Sequence, residues 1–154
     1  MDQPEDLDVE EISRPFIDFL IVADYVETVN GKLYMMGGAW QNYTLADPSR
    51  PVRFGIAVAI GVPWGATNEQ HTLQLRVDDA DGKTVTPTMT INFQVGRPPQ
   101  LPPGQEQRVV WALNGDFGLS APGSYRVVAA IDEVDSEWTA FTLGVRPPTG
   151  AQTA

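Results

Sequence analysis

The residues that could do chemistry in this chain are few: one histidine, His71, five serines, no cysteine, and 20 acids against 10 bases. His71 opens a stretch of alternating apolar residues, so it reads as a half-exposed strand residue rather than a lone general base. No serine sits in a G-x-S-x-G elbow, the turn that presents a nucleophile in α/β hydrolases. The missing thiol excludes a disulfide framework, thiolate metal sites and thiol catalysis. Asp18 and Asp24 lie six apart on a strand, roughly 20 Å, too far for paired acid–base work. The sequence therefore points away from an enzyme, and no cofactor is expected.

Calcium is the more serious chemical candidate. DDADG (78–82) and DEVD (132–135) place hard oxygen ligands in loops. The EF-hand spacing fails, because Asp79, Asp81 and Gly82 would fill its third, fifth and sixth places while Val77 and Thr88 would occupy ligand positions. Asp-Gly is also ordinary turn chemistry. A calcium or polar small-molecule module is kept as the alternative to a protein-binding one.

Four tryptophans remain. Trp111 is in phase with a core face, Trp40 follows a double glycine against which it can pack, and Trp138 is out of phase with Phe141 and Leu143, facing solvent or sitting beside a bulge. Trp64 lies in a loop after Pro63, where an indole can anchor a partner or plug the core. The segment RPPQLPPG (97–104) reads as a stiff loop in preference to a polyproline ligand. Tyr125 reads as the cap of a sandwich corner through its hydroxyl.

These residues must be positioned by strands. Ile17, Phe19, Ile21, Ala23 and Tyr25 alternate, and Asn30-Gly31 supplies a hairpin turn. A second strand runs from Lys32 towards Leu45, interrupted by Gly37-Gly38. Phe54, Ile56, Val58, Ile60 and Val62 mark the cleanest strand; its other face, Gly55, Ala57, Ala59 and Gly61, is small enough for close packing. Further strands are expected over 71–78, 83–95 (split by Pro87), 107–114, 124–132 and 137–145. About eight antiparallel strands imply an all-β sandwich, immunoglobulin-like or C2-like, over residues 14–146. Strict alternation puts both termini at one end. It gathers the turns near 27–31, 63–70, 96–106 and 133–136 at the other.

Several segments resemble a family of uncharacterised bacterial proteins known only as a domain of unknown function: ADYVETVNGKLYMMGGAW (23–40), VAIGVPWGATNEQHTLQLRVDDADGKTV (58–85), FQVGRPPQLPPGQEQRV (93–109) and PGSYRVVAAID (122–132). The resemblance implies a small single-domain β-sandwich and carries no activity or functional residue. More loosely, PGSYRVVAAID with WTAFTLGV looks like the closing hairpin of immunoglobulin-like and C2-like sandwiches.

Charge narrows the partners. Net charge is −10, and Asp2, Glu5, Asp6, Asp8, Glu10 and Glu11 precede the first base. Residues 1–13 and 147–154 are expected to be disordered tails. Without a basic stripe, nucleic acid and anionic membrane are unexpected partners. The acidic start is unlike a secretory signal, and the cytoplasm is the expected compartment. A protein partner or self-association is the expectation. The candidate contact surface is the end bearing Trp64, Arg97, Pro98, Pro99, Leu101, Pro102, Glu133 and Asp135.

Overall fold

The computed structural model describes residues 14–119 and 121–146; the two expected tails lie outside them. Nine strands form two sheets. β1 (Phe16–Val29), β2 (Lys32–Gly38), β4 (Val52–Val62) and β7 (Gln107–Phe117) build the first, in the order β2-β1-β4-β7. β3 (Asn42–Leu45), β5 (His71–Asp79), β6 (Met89–Phe93), β8 (Gly123–Ile131) and β9 (Val134–Val145) build the second, in the order β3-β9-β8-β5-β6. The core lies between them, with Phe54, Ile56, Val58, Ile60 and Val62 facing Leu73, Leu75, Val77, Val127 and Ile131. No helix among the described residues is long and apolar enough to cross a membrane.

The expected second strand is two. β2 ends at Gly37-Gly38, the chain crosses between sheets through Ala39 to Gln41, and β3 then pairs parallel with β9, Asn42 opposite Thr142. This adds a reversal and corrects the expected polarity. The N-terminal residues Arg14 and Pro15 lie beside Glu69 and His71, whereas β9 ends alongside Leu45. The turn at Asn30-Gly31, with positive φ at both residues, moves to the end opposite Trp64. Only Met89–Phe93 of the expected strand 83–95 pairs as a strand; Pro87 lacks the donor that a longer ladder needs.

The phase of β1 is also corrected. A register shift between Ile17 and Phe19 turns Leu20 and Val22 into the core and leaves Tyr25 exposed. Phe19, Ala23 and Val26 instead join Leu33, Met35, Ala57 and Ala112 in a second apolar cluster made only by the first sheet. The small face of β4 is thus closely covered, as its sequence implied. At Gly55 the approach is so close that a Cβ would meet Asn114 Oδ1 at 2.7 Å and Val26 Cγ2 at 2.8 Å. Across that gap Asn114 Oδ1 accepts from the Val26 N–H at 3.0 Å, and its Nδ2 donates to the Val26 carbonyl at 2.7 Å. One side-chain amide continues the ladder where β4 no longer pairs with β1.

Candidate functional site

Two clusters of polar side chains stand at the Trp64 end. The first is built on a 3-10 turn, Trp64–Ala66, that follows β4. The Thr67 hydroxyl donates to the Trp64 carbonyl at 2.6 Å and closes the turn. Arg97, from the β6–β7 connection, lies over the indole with its guanidinium carbon 4.0 Å from the ring centroid. Its Nε donates to Thr67 Oγ1 at 2.6 Å and its Nη2 to the Trp64 carbonyl at 2.8 Å. Arg97 is exposed and Trp64 half-buried. Cation–π contact of this kind, reinforced by two hydrogen bonds, fixes both side chains in one arrangement.

The proline-rich connection beside them is two turns in succession. Leu101 N–H donates to the Pro98 carbonyl at 2.9 Å, and Gln105 N–H to the Pro102 carbonyl at 3.1 Å, with Gly104 at φ 80°. That is a folded, stiff loop and not an extended polyproline ligand. Gln107 Nε2 donates to the Gly96 carbonyl and ties the loop's two ends together.

The second cluster surrounds His71. The expectation of a half-exposed histidine is corrected: the ring is 6% exposed. Nε2 donates to the Ala66 carbonyl at 2.8 Å and Nδ1 meets Asp132 Oδ2 at 2.9 Å. Asp132 Oδ1 accepts from the Thr72 N–H at 2.9 Å. A carbonyl only accepts, and the carboxylate accepts as well, so the imidazolium satisfies both contacts. Burial opposes the charge. The Ala66 carbonyl and the Asp132 carboxylate, with Glu69 nearby, outweigh it and raise the His71 pKa above its ordinary value. With both nitrogens donating, the ring has no lone pair with which to accept a substrate proton. It clamps the 3-10 turn and the β8–β9 turn to β5.

The remaining candidates lie apart. Asp135 belongs to β9, where Arg76 holds it through Nη1 at 2.8 Å and Nη2 at 2.9 Å. Arg76 Nε also reaches both oxygens of buried Asp78 at 3.1 Å, and the Thr84 hydroxyl donates to Asp78 at 2.9 Å. Hydrogen bonding to Arg76 lowers the Asp135 pKa, and the same pairing keeps Arg76 firmly protonated. Acids flanking both proposed calcium loops therefore converge, but on a guanidinium. Asp79 is engaged too, its Oδ1 accepting from the N–H groups of Asp81 and Lys83 at 2.9 Å each. Glu133 is exposed in the β8–β9 turn, where Asp132 and Glu133 both have positive φ. Trp64 and Arg97 come together, Pro98 to Pro102 flank them, and Asp135 is the candidate drawn elsewhere.

Arg76, Asp78, Arg126, Asp135 and Trp138 line a groove of about 430 Å³ on the second sheet. Trp138 is 54% exposed, next to the register shift at Ala129/Ala130, and Arg126 sits 5.2 Å from its ring. Solvent exposure and a nearby bulge, both considered from the sequence, occur together. Trp40 packs on Tyr43, Phe54 and Phe141 rather than on the glycines alone. Trp111 is half-buried against Phe93. Tyr125 donates to the Ala121 carbonyl at 2.6 Å, the corner cap its position suggested. The His71–Asp132 and Arg76–Asp135 contacts span about 60 residues of sequence, and no local motif announces them.

A family model covers residues 18–145, and its description is a family of unknown function, DUF6941. The chain belongs to that family. None of the curated proteins matches it. Among solved structures, an immunoglobulin-like protein from Pseudomonas aeruginosa is similar at 12% identity and a TM-score of 0.41, over 84% of this chain and 96% of that one. An alkylpurine DNA glycosylase from Pseudomonas fluorescens is similar at 10% identity and a TM-score of 0.45, over 84% of this chain and 30% of that one. A β-glucosidase from Listeria innocua is similar at 14% identity and a TM-score of 0.38, over 68% of this chain and 15% of that one. The DUF6941 chain thus spans under a third of the two enzymes, and similarity of this depth transfers neither activity nor substrate to it.

Proposed function

We propose that this DUF6941 protein is a non-catalytic binding module, an accessory or structural component of a larger assembly, and that its contact surface is the sandwich end bearing Trp64, Arg97 and the loop 97–103. The observation that carries the reading is the locking of Arg97 over Trp64. Tryptophan and arginine dominate the energetics of protein interfaces. Side chains already immobilised in the free protein lose less entropy on binding. Here two hydrogen bonds and a stacked ring supply that order before any partner arrives. Arg97 Nη1 makes no hydrogen bond to another described residue, so it can donate to a carbonyl or carboxylate of the partner. The saturated imidazole of His71 supports the non-catalytic half of the reading.

The test is Trp64→Ala. Loss of partner association with an unchanged melting temperature supports the proposal. Collapse of the fold would instead make Trp64 a plug of the sandwich end.

A further inference from the structure

The two sheets have four edge strands, and three are poor templates for another strand. β3 has 4 residues, and β6 has 5 and follows Pro87. β2 has 7, carries Lys32 and closes on two glycines. Short edges, lysine and proline are the usual protections against edge pairing. β7 has none of them. It runs 11 residues, QRVVWALNGDF, without proline, lysine or a register shift against β4. Its only ladder is with β4, and among the described residues no backbone hydrogen bond is made from its other side to another element.

We infer that β7 pairs antiparallel with β7 of a second copy of this chain about a two-fold axis at Ala112, joining the two first sheets into one. The charges on the strand carry the argument. Directly opposite residues of an antiparallel pair lie on the same face, with Cβ atoms about 5 Å apart. The one register that pairs the strand along its full length sets Gln107 against the partner's Phe117. It also sets Arg108 against the partner's Asp116, and the symmetry repeats that contact. Arg108 already pairs with Asp18, and Asp116 with Arg53 at 3.8 Å. The joined sheets then carry an alternating row: Asp18, Arg108, the partner's Asp116 and the partner's Arg53. Sliding the partner by two residues sets Arg108 against the partner's Asn114 and breaks the row. On the inner face Trp111 meets the partner's Leu113, so two half-buried side chains gain cover. The antiparallel arrangement places the two Trp64–Arg97 ends at opposite tips of the dimer.

Sedimentation equilibrium of the full chain tests this, with Arg108→Asp, Asp116→Arg and the double variant. Each single variant places like charges opposite one another twice, and we expect a dissociation constant raised about tenfold or more. The double variant restores the interchain pairs while both intrachain contacts, to Asp18 and Arg53, become like-charged, so recovery of the dimer reports contact between copies; circular dichroism checks that each variant folds. The chain has no cysteine, so Ala112→Cys supplies a single thiol on the axis. Rapid disulfide-linked dimer formation is expected, far faster than for the exposed control Ala140→Cys. A monomer at every concentration, no rescue by the double variant, or equal oxidation of the two cysteine variants would overturn the inference. So would a monomer that captures a foreign strand at β7.

Discussion

Two arrangements built on the same 3-10 turn use polar side chains in opposite ways. His71 is buried beneath the turn, and every hydrogen-bonding atom of its ring is spent inside the fold. Arg97 lies above it in solvent, fixed through two nitrogens and a ring while a third nitrogen remains available. The residue type most associated with catalysis serves as a clamp, and the less conspicuous pair faces outwards. What separates them is saturation: a group can act on a partner only with donors, acceptors or surface the fold has not used.

The clamp should give the largest loss of stability. His71→Ala removes a buried ring and leaves the Ala66 carbonyl and Asp132 Oδ2 without their donor. We expect a loss of about 3 kcal/mol in urea unfolding. A loss below about 0.5 kcal/mol would return His71 to the role of an ordinary surface residue. Asn114→Ala orphans the Val26 N–H and carbonyl and should cost about 2 kcal/mol. It marks the scale of a contact that an exposed side chain makes to the backbone of a buried residue.

The charge on His71 gives the clamp a pH signature. Its native pKa lies above the unfolded value of about 6.5, so the folded state binds the proton more tightly. The stabilisation is complete below the unfolded value and is lost as pH rises through the native one. Melting temperature should therefore fall across that window in the wild type, measured against a His71→Ala reference in which this component is absent. Identical pH profiles for the two would contradict a protonated clamp. At the Trp64–Arg97 pair the expected stability change is smallest: Trp64→Ala and Arg97→Ala should each shift unfolding by about 1 kcal/mol or less, because Arg97 is exposed and Trp64 only half-buried.

Legibility in the sequence followed the range of the interactions. β4 was plain, because Phe54, Ile56, Val58, Ile60 and Val62 alternate without interruption and glycine or alanine fills each position between them. β1 misled, because the irregularity near Asp18 moves the alternation by one residue and exchanges Tyr25 for Leu20 and Val22. Gly37-Gly38 signalled an interruption, yet only the pairing of β3 with β9 shows the chain changing sheets there. Tyr125 could be read as a corner cap because its acceptor is four residues away. The partners of His71 and Arg76 are about 60 residues away, and pairing at that distance is set by the sheet order. Counting reversals along the sequence places Trp64 and Arg97 at one end, where they do meet, but the added reversal at β3 carries the Asn30-Gly31 turn and the N-terminal residues to the ends opposite those the count gives.

The most direct test of the binding role is capture of the tagged full chain from its native host with a photo-crosslinking side chain at position 99, wild type beside Trp64→Ala. We expect a stoichiometric partner crosslinked through position 99 in the wild type and lost in the variant, with both proteins melting within a few degrees of each other. Equal capture by both, or no crosslinked partner at all, would contradict the assignment of this end as the contact surface.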